Sequence, residues 1–397
     1  MTATGEKATR VVTRRVHYFS GFDPRGAGHY HRLYRDESQK QSSHNGAQIG
    51  IGTRTRLNEI VSTWRVDADW SGQQTHTDYQ FMHWDDLVRA NWQRNAVRLW
   101  MSGLWPYLQL LSCGAWLRIW KIAKPVAISG AFPLVLFVFS VVAALLVGVM
   151  ACGAALWLGL GWGLSLFAGG ISAVVIMWGG LLLSEKLGGQ WLLRTFLFVY
   201  EWGTGNRPQL EPRLKRFAQH IIDEQKKNPV DEVLLVGHSI GTMVAVEVAA
   251  RISNEGYSIN QGSALRLLTL GQCIPVLSFI PQAKDFREAL VSMTKTGAIP
   301  WTDVTIPPDP LCFYNLDPVK VSGGNAPPSY ATQLAIARVF RMFKKETYAT
   351  LRWNKLRLHF QYLMASELPA DYDYFLMTAG PHTLAESLTR CEIEMQS

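Results

Sequence analysis

From Val126 to Leu183 the chain runs for 58 residues without Asp, Glu, Lys or Arg. One membrane span takes about 20 apolar residues, so this run has room for two spans and a turn. The spans are expected near 130–151 and 161–183, joined by "ACGAALWLGLGWG". A single unbroken helix of that length would overshoot a hydrocarbon core about 30 Å thick, so a hairpin is the better reading. The G-x-x-x-G spacing of Gly159 and Gly163 suggests close packing at its turn. Hydrophobic residues make up 48% of the chain and charged residues 18%, lean for a wholly soluble protein, and the excess is concentrated in this run.

A hairpin leaves both flanks on one side of the bilayer. Arg118, Lys121 and Lys124 precede the run and Lys186 and Arg194 follow it, while the loop between the spans carries no charge. The positive-inside rule then puts both flanking regions in the cytoplasm, giving an integral membrane protein with two spans. The stretch "LWMSGLWPYLQLLSCGAWLRIW", 99–120, with Trp100, Trp105, Trp116 and Trp120, suits a helix lying at the membrane interface. No positively charged start with an apolar segment behind it opens the chain, so no signal peptide is expected, and the first ten residues read as disordered. The five cysteines, Cys113, Cys152, Cys273, Cys312 and Cys391, lack C-x-x-C spacing. That favours a reducing compartment over disulfides or a zinc site.

The net charge of +8 is clustered. Residues 86–125 hold six basic side chains against Asp86. Residues 335–360 hold seven (Arg338, Arg341, Lys344, Lys345, Arg352, Lys355, Arg357) against Glu346. Both clusters are interleaved with aromatic and aliphatic residues. Such surfaces suit anionic headgroups, where each basic residue contributes about 1 kcal/mol, so membrane lipids are the expected partner and nucleic acid is not.

Outside the apolar run, strand and helix signals alternate. "TRVVTRRVHYF" (9–19), "LNEIVSTWRVDAD" (57–69) and "TDYQFMHWDD" (77–86) read as strands, and "GAGHYHRLYRDESQK" as a helix. "EPRLKRFAQHIIDEQKKN" (211–228) is helical, followed by strand "DEVLLVG", helix "GTMVAVEVAARIS" and strand "ALRLLTLG". "IPWTDVTI" is a further strand, and "LPADYDYFLMTAG" is read as the last. The alternation implies an α/β fold with a mostly parallel sheet and helices on both faces, interrupted by the two-helix insertion. Residues 1–98 would supply the first strands, 99–204 the interfacial and transmembrane insertion, and 205–397 the remainder. The Pro- and Gly-rich pieces at 305–310 and 322–328 are loops.

Gly237-His238-Ser239-Ile240-Gly241 is a G-x-S-x-G motif, which chance supplies about 0.17 times in a chain of this composition. Its setting raises its weight. The aliphatic run "VLLV" precedes it and the helical run "TMVAVEVAA" follows, so the serine sits on a strand-to-helix turn. Such a turn forces the serine into a strained conformation and brings the residues two before and two after it close, where glycine avoids a Cβ clash. The following helix points the positive end of its dipole at developing negative charge.

The motif with its flanking strand and helix resembles the α/β-hydrolase superfamily, particularly its lipase and esterase members. By that likeness Ser239 is the nucleophile and the Ile240 N–H one oxyanion donor. A second donor comes in this family from a loop after an earlier strand, and "VHYFSGFDPRGAGHYH" (16–31) fits, with the Phe22 N–H as the expected group. This loop departs from the family's HGGG form.

The family's chain order then asks for an acid and a histidine after the serine. Asp303 lies inside the strand "IPWTDVTI", whereas Asp309 lies just past its carboxyl end and is preferred; Asp317 is the runner-up. For the base, His359 in "RLHFQYL" has the H-x-x-Y spacing of many lipases, and His382 in "AGPHTL" follows the supposed final strand. His359 is preferred. His17, His29 and His31 precede the serine and read as packing or solvated residues. Asp85-Asp86 reads as a pocket-mouth pair or a helix start. No G-x-x-x-x-G-K-[ST] or H-E-x-x-H occurs, so no cofactor and no metal are expected.

The resemblance implies a membrane-anchored serine hydrolase that cleaves an ester or thioester through an acyl-enzyme, with a lipid or long-chain acyl substrate. The competing reading is a catalytically silent relative serving as a membrane scaffold or partner-binding module.

Overall fold

Alternate residues of "EVLLVGH" and its neighbouring strands point to opposite faces of a sheet, and both sets are buried in the computed structural model. The structure describes residues 10–255, 264–296, 299–324 and 332–394. The strands are β1 (Thr13–Phe19), β2 (Gln48–Ile51), β3 (Thr55–Arg56), β4 (Val61–Trp70), β5 (Gln73–Met82), β6 (Glu232–His238), β7 (Ala264–Leu270), β8 (Trp301–Thr305) and β9 (Gln333–Ile336). Among the described residues they form one sheet in the order β2-β4-β5-β1-β6-β7-β8-β9, with β3 beside β4. Pairing is parallel from β5 through β9 and antiparallel around β4. The protein is thus mixed α/β with a mostly parallel central sheet.

The two faces are covered by different elements. Val16 and Tyr18 of β1 and Leu234 and Val236 of β6 share a core with Tyr30 and Tyr34 of the Ala27–Asn45 helix and with Tyr374 and Phe375. On the other face Phe19 packs edge-on to Phe217 of the Leu210–Lys227 helix. That helix and the Lys284–Thr296 helix flank the buried Gly241–Asn254 helix. From β1 the sheet grows towards β5 and β4, and from β6 towards β7, β8 and β9. The gap between the carboxyl ends of β1 and β6 is therefore a topological switch point, where ligands enter sheets of this kind.

At the opposite, amino end of these two strands lies a fully buried ion pair. Arg14 of β1 donates from Nε to Glu232 of β6 at 2.8 Å, and its other nitrogens reach the carbonyls of Gly380 (2.7 Å) and His382 (2.5 Å). Glu232 also accepts from the Leu384 N–H at 2.9 Å. The pair pins the C-terminal segment under the sheet.

The chain separates into two units, one of Met1–Asn91 with Trp202–Ser397 and one of Trp92–Glu201, where the sequence reading had the insertion at 99–204. The second unit holds two helices long and apolar enough to cross a membrane, Lys124–Trp157 and Trp162–Lys186, with mean hydropathy 2.9 and 2.1. Both exceed the expected 130–151 and 161–183, because "ACGAALW" continues the first helix and the link shrinks to 158–161. At 1.5 Å per residue the first helix is about 50 Å long, well beyond a hydrocarbon core. The expected packing of Gly159 against Gly163 is not found. A Cβ at either would meet nothing within 4 Å, whereas one at Gly169 would lie 2.7 Å from the Gly148 carbonyl and one at Gly180 would clash with the Ser140 side chain, so the close contacts lie along the helices and not at the turn. The 99–120 stretch is two helices, Ala96–Ser112 and Ala115–Ile122, broken at Gly114 with φ 72°. They expose Met101, Trp105, Leu108 and Trp120 while Trp100 stacks on Phe137 at 4.3 Å.

Two expectations need correction in the first unit. The supposed final strand in "LPADYDYFLMTAG" is a helix, Tyr374–Ala379, because Asp373 caps it by accepting from the Phe375 and Leu376 N–H groups. The strand expected over 77–86 ends at Met82, and Asp85-Asp86 is a helix start, one of its two expected readings, opening Asp85–Ala90. The polar residues 1–9 and most of the loop at 322–328 lie outside the described residues.

Removing Arg14 strips Glu232 of its fully buried partner and leaves only Arg266 at 3.3 Å, so Arg14→Met is expected to destabilise the protein by about 3–5 kcal/mol. Thermal unfolding in detergent checks this, and an unchanged midpoint would contradict the burial of the pair.

Candidate active site

Ser239 follows β6 directly and has φ 57°, the left-handed region that costs an L-residue about 1–2 kcal/mol. Its N–H is held by the Leu270 carbonyl at 3.0 Å, and its own carbonyl accepts from the Thr242 N–H (3.0 Å) and hydroxyl (2.6 Å). The neighbours explain the glycines. A Cβ on Gly241 would stand 2.1 Å from the Phe19 carbonyl and 2.4 Å from that of Ser20; one on Gly237 would meet the Gly241 carbonyl at 2.7 Å. The turn can form only with hydrogen at both positions.

The loop after β1 closes on this turn. A Cβ on Gly21 would lie 3.1 Å from Ser239 Cβ and 3.5 Å from its Oγ, so the loop backbone touches the serine. Phe22 is the next residue and is buried. The loop is braced from β5's end, where Trp84 Nε1 donates to the Ser20 carbonyl at 3.0 Å and Arg89 donates to the Pro24 carbonyl at 2.9 Å. Ile240 starts the Gly241–Asn254 helix, whose first-turn N–H groups have no carbonyl within the helix to bond.

Asp309 and His359 come together although 50 residues separate them. His359 Nδ1 lies 2.8 Å from Asp309 Oδ2, and both side chains are buried. Asp309 Oδ1 accepts from the Leu311 N–H at 2.9 Å, and the Tyr362 hydroxyl donates to Oδ2 at 3.2 Å. Burial alone would raise the Asp309 carboxyl, but the charge and hydrogen bond of His359, with the Leu311 and Tyr362 bonds, hold it below the usual carboxylate range. An ionised partner places the imidazole proton on Nδ1. His359 Nε2 is then a bare acceptor, and it is buried without a partner among the described residues.

His359 is tied to the serine's turn by His238, the residue before Ser239. His238 Nε2 lies 2.8 Å from the His359 carbonyl, which can only accept, so His238 donates. Burial, then the neighbouring His359, lowers the His238 pKa to about 3, which keeps the ring neutral and a stable single donor. Its ring centroid is 5.0 Å from that of His359. Ser239 Oγ also neighbours Cys273, whose thiol is pushed up by burial and pulled back by the Ser239 hydroxyl.

The other candidates are placed elsewhere. Asp303 is buried within β8, accepts from Thr269 Oγ1 at 2.6 Å, and is pushed up to about 8 by burial, so it is a neutral acid at pH 7. Asp317 caps the short helix Pro318–Val321. His382 has its carbonyl on Arg14, at the amino end of β1 and therefore about 15 Å of strand away from the Ser239 end. His17 is buried edge-on to His220, with its pKa lowered by burial; His31 bonds the Gly52 carbonyl at 2.9 Å; His29 packs edge-on to Tyr30.

A second chain of the same three residue types exists and differs in kind. Ser62 Oγ lies 2.8 Å from His83 Nε2, and His83 Nδ1 lies 2.8 Å from Asp85 Oδ1. Ser62, however, is fully buried in antiparallel β4, with ordinary strand pairing to Phe81 and no turn behind it. It closes a structural network at the brace of the β1 loop. His238 and Tyr362 were not singled out from sequence; the only signals for them were the motif's second position and the H-x-x-Y spacing.

Because the atoms facing Gly241 are backbone, Gly241→Ala is expected to cost more than the about 1–3 kcal/mol of ordinary overpacking. Unfolding midpoints of this variant and of a Gly28→Ala control, where a Cβ meets nothing nearer than 4.0 Å, would show it; equal stability of Gly241→Ala and wild type would contradict the close approach.

No protein-family model, no curated protein and no solved structure matches this chain.

Proposed function

We propose that the protein is a serine hydrolase of the α/β-hydrolase type, cleaving an ester or thioester through an acyl-enzyme. The observation that carries this reading is the buried Asp309–His359 pair with a bare Nε2, tied through His238 to a serine held at positive φ. The switch-point position and the chain order Ser239, Asp309, His359 support the fold assignment.

In this reaction His359 Nε2 takes the Ser239 proton as Oγ attacks the acyl carbon. The tetrahedral oxyanion receives N–H groups from Ile240 and from the β1 loop at Phe22, each such donor contributing about 3–4 kcal/mol in the transition state. The bond to the alcohol or thiol breaks, and His359 returns the proton to that leaving group. Water then enters, gives its proton to His359, and its oxygen attacks the acyl carbon; the carboxylic acid leaves and Ser239 regains its proton. Asp309 remains ionised throughout and holds the tautomer.

The two long apolar helices are assigned as a membrane hairpin. The basic flanks at Arg118, Lys121, Lys124, Lys186 and Arg194 favour a cytoplasmic catalytic unit by the positive-inside rule. An enzyme so anchored meets bilayer-dissolved substrates at high local concentration, which favours a lipid or long-chain acyl ester.

A fluorophosphonate probe is expected to label the wild type and His382→Ala, and not Ser239→Ala; His359→Ala should label on the order of 10⁶ times more slowly. Labelling that survives Ser239→Ala, or that His382→Ala abolishes and His359→Ala does not, would remove this assignment. Among p-nitrophenyl esters in detergent, kcat/KM is expected to rise with acyl length, each further buried methylene adding up to about 0.8 kcal/mol. A flat or falling profile would argue for a small soluble substrate.

A further inference from the structure

The segment that delivers His359 carries a surface the proposed reaction does not use. Between Val339 and Phe360 the chain forms three short helices, Val339–Met342, Lys345–Leu351 and Lys355–Phe360. Val339, Met342, Leu351 and Leu358 turn inward to the core. Outward, Phe340 is 53% exposed, Trp353 72% and Leu356 52%. Around them Arg341, Lys344, Lys345, Arg352 and Lys355 are exposed, with Glu346 as the acid in the same stretch. Arg338 is excluded from this set because Asp371 pairs with it at 2.7 Å.

The cations and the rings are arranged together. The Arg341 guanidinium lies 5.7 Å from the Phe340 centroid, and Arg352 and Lys355 lie 5.2 and 5.8 Å from that of Trp353. Large apolar tips ringed by cations match the headgroup level of a membrane, where aromatic residues settle with their polar edges wet. Leu356 argues against nucleic acid, since an aliphatic tip adds nothing to base stacking or phosphate contact. Each cation brought near an anionic leaflet raises the bound population about fivefold.

We propose that the Phe340–Leu356 surface docks on an anionic bilayer, with Phe340, Trp353 and Leu356 in the acyl boundary and the five cations at the phosphates. The docking rests on this surface alone. Its consequence for the substrate, that His359 is delivered beside the headgroups of membrane lipids, rests on the hydrolase reading above.

The test uses the full chain, reconstituted in nanodiscs of phosphatidylcholine alone or with added phosphatidylserine, and follows amide hydrogen exchange across 340–356. Exchange there is expected to slow at least about fivefold in the anionic discs, and in Ser239→Ala as in wild type. Arg352→Gln/Lys355→Gln should reduce the docked population about 25-fold and return exchange to the neutral-disc rate, with exchange in β1 and β6 unchanged as the folding control. Equal exchange in both discs overturns the proposal. So does equal protection in neutral discs by added poly-uridylate, which would mark the surface as a polyanion site. Because exchange needs no turnover, loss of docking leaves the fluorophosphonate result standing, and loss of labelling leaves docking standing.

Discussion

Everything at the sheet's carboxyl edge depends on a backbone contact of β1 with the turn after β6. The Phe19 and Ser20 carbonyls press on the α-carbon of Gly241, leaving no room for a side chain. That contact fixes the start of the Gly241–Asn254 helix and, two residues earlier, the positive φ of Ser239. It also sets the β1 loop against the serine. Strain of about 1–3 kcal/mol at such a residue persists only when its surroundings over-determine it. Here the Leu270 carbonyl, the Thr242 hydroxyl and the wedged glycine do so together.

The histidine is held by different means, because it arrives on the last of three short helices and not from the sheet. Three contacts fix it. Asp309 takes Nδ1–H, Tyr362 secures Asp309, and His238 grips the His359 backbone from the serine's own strand. The Tyr362 hydroxyl also accepts from the Ile306 N–H at 2.9 Å, and the Tyr372 hydroxyl donates to the Tyr362 carbonyl at 2.6 Å. Acid and base are thus joined to each other, and through His238 to the serine's turn, by buried hydrogen bonds with little solvent access, where such bonds are strongest.

What could be read in advance was local. The strand, glycines and helix around Ser239 lie within about twenty residues, and their pattern follows from sterics within that window. Asp309 could be preferred over Asp303 because position past a strand's end is a local fact. Long-range contacts left no such trace. His238 meets His359 across 121 residues, and nothing near either residue announces the other. The Tyr374–Ala379 helix was read as a strand because tyrosine and phenylalanine favour strands, while the deciding groups were Asp373 at its start and the packing of Tyr374 on Tyr79, whose hydroxyls meet at 2.6 Å. The short β2 in "AQIGIG" has no strand signal of its own, since glycine disfavours strands and only the pairing with β4 makes it one.

One modest contact bears on how such a chain could be assembled. The polypeptide leaves its sheet-bearing unit at Asn91 and returns at Trp202, and the Arg207 guanidinium donates to the Asn91 side-chain oxygen, so exit and re-entry are neighbours. The entropy of closing a loop grows only with the logarithm of its length. To the sheet, lengthening the excursion therefore costs little, about 0.6 kcal/mol for each doubling. A domain whose doorposts stand side by side can exchange one anchor for another, or shed it, without relearning how to fold.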